Sequence, residues 1–203
     1  MNTEFAATVL ENGLTPEAYR IVMEKSAARD PADFEGLEAE RMAFAKLNLH
    51  RTERLQRQWR PSLALASLMG RLDHPQLWMV LTEPWCGDSA QCLPCLEILA
   101  ESNPLVTIRI LTRDDHPHIM DRYLTEGKRS IPILVALDPQ GNELFRWGPR
   151  PAEAQAVFDQ AVAEGLDKPA KLERLHLFYG RNRGRALDEE MIAVITNLLD
   201  GAS

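Results

Sequence analysis

Three cysteines hold most of the reactive chemistry in this sequence, and their neighbours distinguish them. Trp85-Cys86-Gly87-Asp88-Ser89 stands where a short apolar run, Trp78 to Thr82, gives way to a helical stretch. A residue at a helix N-terminus lies among free backbone N–H groups and at the positive end of the dipole, both of which favour an anion. A thiolate is stabilised there, and the thiolate is the nucleophilic form of cysteine. Cys86 is therefore expected to be a nucleophile with a lowered pKa, the other reading being a buried structural cysteine, and Gly87 to give the backbone room at a tight turn. Cys92-Leu93-Pro94-Cys95 spells C-x-x-C, but falls inside the helix. Helical residues three apart hold their Cβ atoms about 5–6 Å apart, whereas a disulfide wants about 3.8 Å. Cys86 and Cys92 are separated by about 9 Å of helical rise. Three readings stay open for Cys92 and Cys95: packing residues, substitute resolving thiols, or part of a metal site completed by other residues.

Other clusters have plainer readings. Asp114, Asp115, His116 and His118 could bind a metal, but acids near a helix start are expected as caps. Lys46, His50, Arg54 and Arg57 form a ridge on one helix, expected to be a solvated face. Tyr179-Gly180-Arg181-Asn182-Arg183-Gly184-Arg185 could bind anions and reads as a flexible basic connection before a last helix, Asp188 to Leu199. Ser130 is expected to be backbone scaffolding.

The elements that must position Cys86 follow from the periodicity. Residues 1–72 read as helices: one from Thr15-Pro16-Glu17, a cap followed by proline, to about Ala28. A longer one starts near Leu37, with Met42, Ala45, Leu49, Thr52, Leu55 and Trp59 on one face, and is stopped by Pro61. A short third helix spans Ser62 to Leu72. Beyond Trp78, apolar runs alternate with helices: a strand to Thr82, a helix from about Cys86 to Ala100, a strand at Val106 to Ile110. A helix from Asp114 to about Leu124 comes next, then strands at Ile133 to Leu137 and Glu143 to Trp147, and a helix from Pro151 to Glu164. This order implies α/β architecture, a central mixed sheet flanked by helices. The expected organisation is a helical N-terminal extension at 1–72, a core domain at 73–166, and a C-terminal extension with a terminal helix at 167–203.

Composition narrows the function. The 203 residues are 45% hydrophobic and 26% charged, an ordinary globular balance, and the net charge of −7 argues against a general nucleic-acid binder. Three cysteines make no disulfide framework. No apolar run approaches the roughly 20 residues of a membrane span. Met1 to Leu10 lacks the basic region of a secretory signal, so a cytoplasmic location is the expectation.

Four elements together resemble the thioredoxin superfamily over about residues 75–165. Trp-Cys-Gly-Asp-Ser stands in the place of Trp-Cys-Gly-Pro-Cys, and Pro94 in that of a helix-kinking proline. Ser130-Ile131-Pro132 resembles the Ile-Pro element whose proline is cis and faces the reactive cysteine, and Asp138 to Glu143 matches the last hairpin. Glu83 to Asp88, with Trp147-Gly148-Pro149-Arg150-Pro151, is most similar to an uncharacterised bacterial thioredoxin-like group that usually carries Cys-Gly-Asp-Cys. The resemblance implies a thioredoxin-like fold and thiol–disulfide chemistry through Cys86. Trp85, Gly87, Asp88, Ile131 and Pro132 would hold the substrate, a protein or a low-molecular-weight thiol or disulfide, with no cofactor and no metal. Ser89 replaces the resolving cysteine and could hydrogen-bond the thiolate, so the chemistry implied is monothiol-type. Val80 likewise replaces the family's buried acid. Cys-Gly-Asp-Ser is also similar to the motif of cluster-binding monothiol glutaredoxins, but their glutathione-binding pattern is not evident. The competing reading is a non-enzymatic module that binds a partner through the same groove.

Overall fold

The computed structural model describes residues 2–201; Met1, Ala202 and Ser203, which fall within the expected terminal extensions, lie outside the described residues. In chain order the helices of the first part are α1 (Asn2–Asn12), α2 (Pro16–Ala27), α3 (Gly36–Gln58) and α4 (Leu63–Met69). Then come β1 (Gln76–Thr82), α5 (Ser89–Glu101), β2 (Val106–Thr112), α6 (Pro117–Met120), β3 (Ile133–Leu137) and β4 (Glu143–Trp147). The chain ends in α7 (Ala152–Ala163), α8 (Lys168–Asn182) and α9 (Arg185–Gly201).

The sheet has four strands in the order β2-β1-β3-β4. β1 runs parallel to β2 and antiparallel to β3, and β3 pairs antiparallel with β4, so the sheet is mixed as the element order implies. Alternate residues of the central strands feed two cores. Trp78, Val80, Ile110, Leu134 and Ala136 pack toward α2, α5, α8 and α9, while Met79, Leu81, Leu111, Ile133 and Val135 pack toward α1 and α6. β1 is buried along its whole length, which accounts for its unbroken apolar run.

Local signals set the N-terminal helices. Thr15 caps α2 by accepting from the Ala18 N–H, and Ser62 caps α4 by accepting from the Leu65 N–H. Among the described residues no helix is long and apolar enough to cross a membrane.

Three expectations fail. First, Tyr179 to Asn182 is not a flexible connection but the last turn of α8. Asp167 caps that helix and a proline follows at Pro169, while left-handed Arg183 (φ 55°) and Gly184 (φ 84°) end it, leaving α9 to start earlier than expected, at Arg185. Second, α6 spans only Pro117–Met120, and Asp114 and Asp115 do not cap it: His116 occupies the cap position, and the Asp115 carboxylate accepts from the Thr112 hydroxyl instead. Third, α5 starts at Ser89 rather than Cys86.

The α3–α5 contact contains a buried acid. Glu97 is 5% exposed, and its Oε2 accepts from Gln56 Nε2 at 3.1 Å. Burial pushes its pKa up to about 7, with Glu101 and Glu17 adding to the effect and the Gln56 bond opposing it. A carboxyl whose folded pKa is raised favours the folded state at acid pH, and that contribution is lost as pH rises through the folded value. Glu97→Gln should therefore match the wild type near pH 4 and exceed it by about 3 kcal/mol at pH 8. Urea unfolding at both pH values measures this; a difference independent of pH would show that Glu97 is not buried in solution.

Candidate functional site

Cys86 lies in the turn between β1 and α5, and its backbone is already wound toward the helix: the Ala90 N–H donates to the Cys86 carbonyl at 3.1 Å. The thiol donates to the Ile131 carbonyl at 3.4 Å and receives the Ser89 N–H at 3.5 Å. The Ile131–Pro132 bond is cis, so the Ser130-Ile131-Pro132 loop does meet the cysteine, with the Ile131 carbonyl at the sulfur. Gly148 lets the next loop approach: with φ at 120°, a Cβ there would lie 2.3 Å from the Pro132 carbonyl oxygen.

The electrostatics reverse the expected sign. Cys86 is 7% exposed, and burial pushes its pKa up to about 11, with the neighbouring Asp88 carboxylate adding to the rise. The Ser89 hydroxyl and the N–H groups of Ser89 and Asp88 act the other way and are outweighed. Helix-end donors do reach the sulfur, but α5 begins three residues downstream, while desolvation acts on the whole side chain.

Asp88 joins the cysteine turn to the rest of the molecule. Its Oδ2 accepts from Arg150 Nη2 at 2.8 Å, and its Oδ1 accepts from the Tyr179 hydroxyl at 2.6 Å. Burial raises the Asp88 pKa, and Arg150, Tyr179 and Arg51 oppose that rise. The Arg150 guanidinium also lies over the Phe158 ring, 4.7 Å from its centroid. From α8, His176 approaches Gly87: a Cβ there would meet the imidazole Cε1 at 2.6 Å, so a side chain at this position would have to displace the ring. Burial, with Arg51 and Arg150 nearby, lowers the His176 pKa to about 4. From α3, the fully buried Asn48 donates to the Pro84 carbonyl at 3.0 Å and accepts from Arg51 at 2.9 Å. Trp85 lies under two guanidinium groups, Arg41 at 4.6 Å and Arg113 at 4.8 Å from its ring centroid.

A half-open cavity of about 470 Å³ lies here, with Cys86, Gly87 and Asp88 at its buried base and Arg41, Arg113 and Arg150 among its lining. Trp85 and Ile131 line it; α3 and α8 supply further walls through residues such as Phe44, Leu172 and His176. Cys92 and Cys95 stand elsewhere. Both are essentially inaccessible and belong to the core on the α5 side of the sheet, whereas Cys86 belongs to the opposite one. All three thiols are free, and burial raises the pKa of Cys92 and Cys95 strongly. Among the described residues no group of three or more His, Cys, Asp or Glu is placed to hold a metal ion, Asp114 to His118 included. Of the basic ridge, Lys46, His50 and Arg57 are exposed, while Arg54 is half-buried and reaches Gln91 at 3.4 Å.

Sequence reasoning missed Arg150, Tyr179, His176, Asn48, Arg41 and Arg113 as site residues. Arg150 and Tyr179 are 62 and 91 residues from Asp88, beyond the reach of any local spacing rule. Tyr179→Phe should cost about 1.5–3 kcal/mol, because it removes a donor from a buried carboxylate. Denaturant titration measures this; a loss below about 0.5 kcal/mol would mean that the bond is not made in solution.

The family model described as thioredoxin matches residues 38–162, a region that takes in most of α3 as well as the sheet. A search of curated proteins finds no match. Among solved structures, a protein of unknown function, PA1234, from Pseudomonas aeruginosa is similar with a TM-score of 0.60 and 21% identity, over 97% of this chain and 98% of its own. An HIV epitope-scaffold of the 4E10 type is similar with a TM-score of 0.58 and 21% identity, over 94% of this chain and 97% of its own. At this identity the two structures speak to the fold alone, which they share along nearly its full length. The match over more than half the chain, on a sheet of the order described above, places this chain in the thioredoxin family.

Proposed function

We propose that the chain is a monothiol-type thiol–disulfide redox protein in which Cys86 reacts without an internal partner. The observation that carries this reading is the placement of the Cys86 sulfur, against the Ile131 carbonyl beside Pro132 and at the base of a cavity of substrate size. Ser89 at the resolving position, and the burial of Cys92 and Cys95 in the other core, support an external second thiol. Free thiols persist in a reducing compartment such as the cytoplasm, and a low-molecular-weight or protein thiol there would complete turnover. The thiolate of Cys86 would attack a disulfide sulfur to form a mixed disulfide, releasing one thiol; the second thiol would then release Cys86. Trp85, Gly87, Asp88 and Ile131 would shape the substrate's approach, with Pro132 fixing the loop.

The raised pKa favours a second reading, a thioredoxin-fold binding module without turnover, because few Cys86 side chains are ionised at neutral pH. Two measurements separate them. Iodoacetamide alkylation of Cys86 should accelerate well over tenfold from pH 8.5 to 10.5, where an ordinary thiol of pKa about 8.5 gains only about twofold. A gain of about twofold or less over that range would contradict the burial described here. Incubation with 2-hydroxyethyl disulfide at pH 8 should add one thiol-reversible adduct at Cys86, absent from Cys86→Ser. If the folded protein forms none, the binding reading replaces the redox one. Ser89→Cys should form an internal disulfide with Cys86 under oxidising conditions and gain dithiol reductase activity, since Ser89 already lies against the sulfur.

A further inference from the structure

The cavity above Cys86 is more basic than the protein that contains it. The whole chain has a net charge of −7, yet this cavity is lined by Arg41, Arg113, Arg129, Arg150 and Lys168 against two acids, Glu40 and Asp88. Each of the five cations has an acid partner, and for Arg41, Arg113 and Arg129 that partner lies outside the cavity. Arg41 pairs with Asp114 at 3.3 Å and with Glu38 at 3.9 Å, Arg113 with Asp114 at 2.8 Å, and Arg129 with both oxygens of Asp121. Asp114, Asp121 and Glu38 do not line the cavity. Within it, Arg150 pairs with Asp88 and Lys168 with Glu40. Arginine carries five donors in a planar fork, and these pairings leave donors over: Nε and Nη1 of Arg150 are buried with no hydrogen-bond partner among the described residues, as is Nδ1 of His176. A basic wall with its counter-charges set behind it favours an anion in front.

Shape restricts what that anion can be. Helices α3 and α8 wall the space beside the Ile131 loop. The base is buried, with Cys86 at 7%, Asp88 at 8% and Ile131 at 6% exposure, whereas the rim residues Lys168, Glu40 and Arg129 have half-exposed side chains. A volume of about 470 Å³ lies within the range of small-molecule sites, about 300–1,000 Å³. A folded protein would have to present its disulfide past both helices.

Resting on the redox reading above, we propose that the substrate of Cys86 is a small carboxylate-bearing disulfide, its acid held by the arginines of the cavity wall and its sulfur delivered to the base. The Cys86 sulfur forms a bond to one substrate sulfur while the substrate S–S bond breaks. The departing thiolate takes up the proton equivalent that Cys86 releases. A second low-molecular-weight thiol then displaces Cys86 as a thiol and leaves as the new disulfide, so protein and electrons return to the starting state.

The test is a charge series of disulfides of similar size: 3,3′-dithiodipropionate (anionic), 2-hydroxyethyl disulfide (neutral) and cystamine (cationic). Adduct formation on the full chain is followed by intact mass at low salt, and each rate is divided by that with free 2-mercaptoethanol to remove intrinsic reactivity. The anionic probe should exceed the cationic one by about tenfold or more, and added salt should shrink the ratio. Arg129→Gln, at the exposed rim, should lower the ratio without loss of stability, and Arg41→Gln should lower it further. Equal rates for the three probes would overturn the anion preference and leave the redox reading standing. Failure of all three at Cys86 in the folded protein would overturn both. A cationic preference, or a ratio unaffected by either arginine substitution, would assign the recognition to another part of the molecule.

Discussion

Asp88 is a carboxylate with little access to water, and the arrangement of the site follows from how its charge is satisfied. Burying an unpaired carboxylate is costly, so it needs a cation and hydrogen-bond donors with good geometry. Arg150, from the loop after β4, and Tyr179, from α8, supply them at 2.8 and 2.6 Å. Neither contact is possible unless the cysteine turn, the β4–α7 loop and the C-terminal helices converge. The pair thus ties segments far apart in sequence to the residue two positions after Cys86. Removing one partner of such a pair strands the other, which is why its geometry constrains the structure more than its net contribution to stability suggests.

Burial of the Cys86 sulfur, with this carboxylate beside it, reverses the chemistry that the cysteine turn advertises. A cysteine just before a helix should be acidified by helix-end donors, and the Ser89 N–H does reach the sulfur. Closing α8 and the neighbouring loops around the turn removes water from the sulfur and sets a carboxylate beside it. Desolvation and like charge both disfavour the thiolate, and together they outweigh the donors.

What was legible in the sequence is what local rules encode. Alternation and turn chemistry fix β3, β4 and their hairpin, and Thr15 and Ser62 announce helices that begin where expected. Cys86 and the Ile131–Pro132 loop are short, contiguous motifs, and the structure brings them into contact. The unread part is tertiary. Tyr179 looked like part of a basic loop because arginines and glycines surround it, although Asp167 and Pro169 signal the start of the helix that carries it. Gly87 reads as a backbone requirement, yet the nearest obstacle to a side chain there is His176, 89 positions further along the chain. The sign of the Cys86 shift was misjudged for the same reason: a helix end is visible in the sequence, while the residues that exclude water are not.

Reactivity and access are consequently coupled through one carboxylate. The α8 helix that helps to wall the cavity is the helix whose tyrosine satisfies Asp88, and Asp88 is the charge that helps to keep Cys86 protonated. A thiol on an open thioredoxin surface has no such dependence. Here the helices outside the sheet wall the cavity over Cys86, and burial among its neighbours keeps the thiol protonated.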